Sequence, residues 1–184
     1  MTDIQTLRYP VGPLPRRKEP LDDAMRHRLL EAIAQAPARF RSLVSGRSDA
    51  ELDTAYRPGG WTIRQVVHHV PDSHLNAYIR MKLAVTEERP AIKTYEEALW
   101  AELPEAKSGP VEMSLALLEA LHTRWIAFLR ALPAANFSKS FTHPEWGAVT
   151  LDEGIVMYEW HCRHHAAHIE NALNSRQSAV GSHV

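Results

Sequence analysis

With a single cysteine, Cys162, the chain cannot close an internal disulfide. Nowhere does it hold about 20 consecutive uncharged apolar residues, and Met1 to Pro10 carry no basic segment followed by an apolar run. These absences disfavour membrane insertion and secretion, so the expected location is the cytoplasm, where a lone thiol stays reduced. Charge of one sign is missing too: 21 Lys plus Arg stand against 22 Asp plus Glu. That balance gives no electrostatic case for nucleic acid or an anionic membrane as the main partner, and a small molecule is expected instead. There is no internal repeat, no low-complexity tract and no convincing run of strands. At 184 residues the chain has the size of one domain, large enough for a substantial core without cross-links.

What the chain has in excess is histidine, eleven in all. Seven fall in two short windows, His68, His69 and His74, then His161, His164, His165 and His168.

Residues 1–20 carry Pro10, Pro13, Pro15 and Pro20, which predicts an extended, non-helical arm packed over the body. From Leu21 to about Val44, Met25, Leu29, Ile33, Phe40 and Leu43 recur near helical spacing, with Pro37 as a kink and Gly46 as a stop. After the turn Arg57-Pro58-Gly59-Gly60, Thr62 and Gln65 form a capping box, flanked by Trp61 and Val66 as a staple. A second helix should run from there to about Thr86, bent at Pro71. Thr94 and Glu97 suggest a short helical turn, followed by a polar loop from Glu102 to Pro110. Leu115, Leu118, Leu121 or His122, Trp125, Phe128 and Leu132 mark a third long helix, ended by Pro133. A small hairpin or loop is expected between Phe137 and Val149. Thr150 and Glu153 then repeat the capping-box spacing ahead of a last helix reaching about Leu173, with residues 175–184 as a frayed tail. Four long helices with short connectors predict an all-α four-helix bundle, with 1–184 as one domain.

His161 and His165 stand four apart on the last helix, so their rings leave one face about a turn from each other and can reach one ion. Paired imidazoles suit zinc, nickel or iron, and a facing bundle helix can supply a further ligand. His69 is taken as the third, next to the apolar stripe of Val66, Val67 and Val70. Two histidines four apart are more often surface or core residues than ligands. The second cluster on another long helix shifts the balance, because that many buried imidazoles need partners. Three nitrogens leave a coordination position open for water or substrate. His164 points about 100° from His165 and should lie beside the site or at the subunit surface, and His168, one turn on, can line the cavity. Asp72 and Asn76 share the polar side of His69 and can support a ligand, although a solvated helix face accounts for Asp72 equally well. Cys162 is read as a buried, inert thiol, and Trp61, Trp125, Tyr158 and Trp160 as core with a share in a pocket. No glutamate follows His161, so the zinc-protease motif is absent.

Four stretches carry a wider likeness: RPGGWTIRQVVHHVPDSHLNAYIR from Arg57 to Arg80, KLAVTEERPAIKTYEEALW from Lys82 to Trp100, SLALLEALHTRW from Ser114 to Trp125, and YEWHCRHHAAHI from Tyr158 to Ile169. In these the chain resembles the DinB/YfiT-like family, most closely its YfiT-type metal-dependent hydrolases. The resemblance implies a four-helix bundle, commonly homodimeric. It also implies a metal held by one histidine on the second helix and a pair four apart on the last. The first ligand comes eight residues after the helix-opening Trp, which selects His69 over His68, and the pair falls on His161 and His165. Many relatives follow the last ligand with Arg-Gly-Gln, but here Ala166-Ala167-His168 stands, as in the YfiT branch.

The expected cofactor is one divalent transition metal, zinc first, with nickel or iron also suited. Three functions follow. A hydrolase would use the ion to polarise a carbonyl-like group and activate water. The resemblance also implies a thiol S-transferase, which would activate a low-molecular-weight thiol such as bacillithiol or mycothiol. A non-enzymatic metal-binding stress protein would close the coordination sphere with a fourth ligand, such as His168 or Asp72.

Overall fold

The structure, a computed structural model, describes residues 4–181, with side chains through Arg176. In chain order its elements are α1 (Ile4–Arg8), α2 (Asp23–Val44), α3 (Asp49–Leu52), α4 (Ile63–Thr86), α5 (Glu97–Trp100), α6 (Pro104–Ser108), α7 (Val111–Arg130), a 3-10 turn (Ala134–Ser138), β1 (Ser140–His143), β2 (Gly147–Thr150) and α8 (Leu151–Gly181).

The long helices start where local chemistry satisfies their first N–H groups. Asp22 accepts the Met25 N–H at 2.7 Å to open α2. At α4 both halves of the capping box form: Thr62 Oγ1 accepts the Gln65 N–H at 3.1 Å, and Gln65 Oε1 accepts the Thr62 N–H at 2.9 Å. At α8 only half of the expected box exists. Thr150 Oγ1 accepts the Glu153 N–H at 3.1 Å, but the Glu153 carboxylate takes Arg16 at 2.8 Å and Lys18 at 2.9 Å instead. That carboxylate therefore pins the N-terminal arm to α8. The arm is tied again by the indole N–H of Trp160 on the carbonyl of Gly12, 3.2 Å, and by Asp152, which accepts from the Leu21 N–H and from Arg26, each at 2.9 Å.

Around the bundle the order is α2, α7, α4, α8, since α2 and α4 each pack on both α7 and α8. Adjacency of α4 and α8 is what brings the two histidine windows face to face. The core divides into two apolar clusters. One contains Ile33, Met81, Trp125, Leu129, Val149, Leu151 and Ile155. The other contains Phe40, Ile63, Val66, Val70, Leu115, Leu118, Ala166 and Ile169. On α4, His74 lies between Val70 of one cluster and Ala77 of the other; on α7, His122 lies between Leu118 and Trp125. A histidine layer thus separates two apolar halves.

The antiparallel hairpin β1–β2 pairs Ser140 with Thr150 and His143 with Gly147. Gly147 adopts φ 69°, a conformation that favours glycine and completes the turn. Its tip holds His143 stacked on Trp146, with ring centroids 4.2 Å apart.

Three expectations are corrected. The arm is not wholly extended: Ile4–Arg8 is a helix, held by packing on α8 that the proline spacing could not reveal. The loop from Glu102 to Pro110 contains α6, which opens on Pro104 at its first position and has Glu105 in its first turn and Lys107 in its last. The last helix does not end at Leu173 but continues to Gly181. Leu173 is still core there, and Arg176 donates to Thr54 Oγ1 at 3.1 Å, so tertiary contacts carry the helix past its apolar pattern. The remainder of the predicted tail, 182–184, lies outside the described residues, as do arm residues 1–3.

Candidate metal centre

One ring nitrogen from each of His69, His161 and His165 comes within 4.8 Å of the others. Nε2 of His69 and Nε2 of His161 are 3.3 Å apart. A tetrahedral ion with metal to nitrogen bonds of ~2.0 to 2.1 Å separates its ligand atoms by about 3.4 Å, so this spacing fits such an ion. His69 and His165 are buried, and His161 is partly exposed.

Burial disfavours the charged imidazolium and holds the rings neutral. It lowers the His69 pKa to about 4, with the neighbouring charge of His168 adding to the effect. His161 and His165 are pushed well below the ordinary range, by burial first and then by the surrounding histidines. Neutral imidazole is the form that ligates.

Behind His161 a chain of rings crosses the bundle. His161 Nδ1 lies 3.0 Å from His74 Nε2, His74 Nδ1 lies 2.7 Å from His122 Nε2, and His122 Nδ1 lies 2.8 Å from the carbonyl oxygen of Ile33. Behind His165, Nδ1 lies 3.4 Å from His168 Nδ1, and His168 Nε2 lies 3.3 Å from the carbonyl oxygen of Arg8. His168 also stacks on Tyr56, with centroids 3.9 Å apart.

The three rings line a cavity of about 570 Å³. Aromatic groups dominate its wall, with Trp61, Tyr95, Trp146, Tyr158 and Trp160 among them, and Arg8, Arg80, Glu97 and Glu145 add charge. The hairpin contributes Phe141, His143 and Trp146, and α8 contributes Met157, Tyr158 and Trp160 beside its histidines. This is the size and character of a site for a small molecule.

Of the supporting residues chosen from sequence, His164 is buried beside the site, stacked on Trp160 at 4.2 Å, and both it and His168 line the cavity. Asp72 and Asn76 are not among the residues that line it, and the Asn76 amide donates to the Asp72 carbonyl oxygen at 2.9 Å. Cys162 is buried, and burial pushes its thiol pKa up, as an inert thiol requires. Trp125 is core, whereas Trp61, Tyr158 and Trp160 face the cavity. Sequence reasoning missed the role of His122. Its signal was there: a polar ring occupying a position on the apolar stripe of α7, three residues before Trp125.

A four-helix bundle with a cluster of three histidines facing a cavity defines the class. Residues 32–169 match the DinB superfamily, and the chain belongs to it. Relatives from Bacillus cereus (strain 03BB102) and from Bacillus thuringiensis subsp. konkukian are each 48% identical over 166 residues, covering 90% of this chain and 95% of theirs. A Bacillus anthracis relative is 47% identical over the same span. All three bear the name "Putative metal-dependent hydrolase". Among solved structures, YfiT from Bacillus subtilis is 42% identical with a TM-score of 0.89, over 94% of this chain and 98% of that one. That structure is described as "a probable metal-dependent hydrolase with an unusual four-helix bundle topology".

Proposed function

We propose that the protein is a metal-dependent hydrolase of small molecules, with one divalent transition metal held by His69, His161 and His165. The observation that carries this reading is the convergence of the three ring nitrogens within 4.8 Å at the wall of the aromatic cavity. Zinc is the expected ion, since neutral imidazoles suit it, and nickel or iron would also be accepted. A bound ion supplies Lewis acidity toward a carbonyl-like oxygen and makes water a better nucleophile at neutral pH. The protein's part is to keep three imidazoles neutral and to orient an aromatic or apolar substrate along the cavity wall. Names borne by relatives at 48% identity support the same reading.

One observation favours a second reading, thiol S-transfer. The chain's own thiol, Cys162, is buried and does not line the cavity, while Arg8 and Arg80 do, so an external anionic thiol would find both room and counter-charge. Metal analysis followed by turnover on ester, amide and electrophile-plus-thiol panels separates the two. Hydrolysis that needs the ion and no thiol supports the first reading, and turnover only with thiol supports the second. Metal binding with no turnover on any panel supports the sequestering role.

The proposed location is the cytoplasm, in keeping with the lone cysteine. No helix of the described residues is long and apolar enough to cross a membrane. Homodimerisation is proposed as well. Leu75 and Ile79 on α4 and Met113 and Leu117 on α7 stand exposed in i, i+4 pairs, a pattern suited to self-association. Sedimentation of the wild type and of an Ile79→Lys variant tests it.

A further inference from the structure

We propose that His74 and His122 are positioning residues which, anchored on the carbonyl of Ile33, fix His161 as the Nδ1–H tautomer and so turn its Nε2 lone pair toward the metal centre. The inference deepens the three-histidine reading and rests on it for its functional consequence, but the tautomer itself is a property of the metal-free chain.

The order of the rings begins with a missing donor. In a helix the carbonyl of Ile33 would accept the N–H four residues on, but that residue is Pro37, which has none. The carbonyl is left free in the core, and His122 Nδ1 meets it at 2.8 Å. A carbonyl oxygen only accepts, so His122 Nδ1 carries the proton and donates. In a neutral ring the other nitrogen is then an acceptor. His122 Nε2 must therefore receive from His74 Nδ1, 2.7 Å away, which makes His74 Nε2 an acceptor in turn. That atom receives from His161 Nδ1 at 3.0 Å. His161 Nε2 is thereby left without a proton, and it is the atom 3.3 Å from His69 Nε2.

The reverse order would set the His122 Nδ1 lone pair against the Ile33 oxygen, two acceptors face to face in the core. One backbone carbonyl, freed by a proline, thus sets the polarity of three consecutive rings. A shorter chain of the same kind runs from His165 through His168 to the carbonyl of Arg8, an oxygen at the end of α1 that has no intrahelical partner. Its contacts are longer, 3.4 and 3.3 Å, so its hold on the tautomer is weaker.

The test is long-range nitrogen-proton NMR of histidine-labelled, metal-free protein at about pH 8, above the ordinary imidazole range. His122, His74 and His161 should each show a protonated Nδ1 and a bare Nε2; a proton on His161 Nε2 overturns the proposal. His122→Leu removes the acceptor for His74, so His161 should become a mixture of tautomers and zinc affinity should fall about 10- to 100-fold, the loss typical when a ligand's outer partner is removed. His122→Gln, whose amide oxygen can replace the Nε2 acceptor, should restore most of both. Unchanged tautomer and affinity in His122→Leu would overturn the proposal. Should that variant fail to fold, the wild-type spectra and His122→Gln decide. Wild-type protein that shows these tautomers but binds no zinc would remove the metal reading while leaving the ring order intact, so the two failures are distinguishable.

Discussion

The apolar halves of the bundle and the histidine layer between them are built from the same four helices by opposite rules. In the halves, contact is non-directional: Phe40, Leu118 and Ile169 on one side, or Leu129 and Ile155 on the other, gain from being out of water whatever their exact angles. In the layer, each ring must offer a donor to an acceptor, and a single wrong proton propagates through His122, His74 and His161. The halves therefore gain from burial alone, whereas the layer depends on directed hydrogen bonds. A bundle that carried imidazoles at these positions without partners would lose about 1–3 kcal/mol for each unsatisfied buried group.

The contrast can be broken most directly at the ligands. His161→Ala or His165→Ala should abolish metal-dependent turnover and weaken zinc binding by more than about 100-fold, beyond the effect of outer partners. The helical circular dichroism should stay intact. Metal content after gel filtration, read beside the spectrum, checks this, and full metal occupancy in either variant contradicts the three-histidine assignment.

The complementary change is in an apolar half. Phe40 is 1% exposed, and Phe40→Ala should cost about 3–5 kcal/mol in urea unfolding. Zinc affinity of the folded chain should move little. If this variant loses metal as readily as stability, the two regions are not separable.

Acid should act on the layer first. Burial lowers the His122 pKa to about 4, below its ordinary value of 6.5. The unfolded chain then takes up the proton before the folded one, so the stability contributed by the neutral ring is complete above about pH 6.5 and is lost as pH falls toward about 4. At pH 5 the loss should be on the order of 2 kcal/mol from this ring alone. Denaturation of metal-free protein at pH 7.5 and pH 5 measures it, and His122→Gln should flatten that part of the profile.

The smallest effect belongs to Asp72, outside the layer. Burial, then the charge of Glu105, raises its pKa to about 6. Here the sign reverses: the neutral carboxyl is favoured in the fold, so stability is lost as pH rises from about 4 through about 6. Asp72→Asn should stabilise the chain above that range by no more than about 1 kcal/mol once solvent screening of this half-buried group is allowed for. Thermal melts at pH 8 would show it, and a destabilised variant would mean that the carboxylate has a partner worth keeping.

Much of the fold was readable because it depends on neighbours in sequence. The Thr62 and Gln65 cap, the stop at Pro133 and the apolar stripe of α7 are local signals, and each corresponds to an observed helix boundary or buried face. The failures share a cause. Ile4–Arg8 and the last turns of α8 are helical through contacts between distant segments, such as Arg176 with Thr54, and Glu153 abandons its expected cap for Arg16 and Lys18. At the candidate centre, the four-residue spacing of His161 and His165 placed two rings on one face, but nothing local could say that His122 stands behind His74 or that the freed Ile33 carbonyl lies beyond it.

Helix periodicity, caps and the histidine spacing were determined by the sequence alone, because each is set within a few turns of one chain segment. Which rings meet, in what order, and on which carbonyl they end was decided only when α2, α7, α4 and α8 closed around one another. Hydrogen bonds between residues 48 to 89 positions apart depend on where whole helices pack, and no local pattern encodes that.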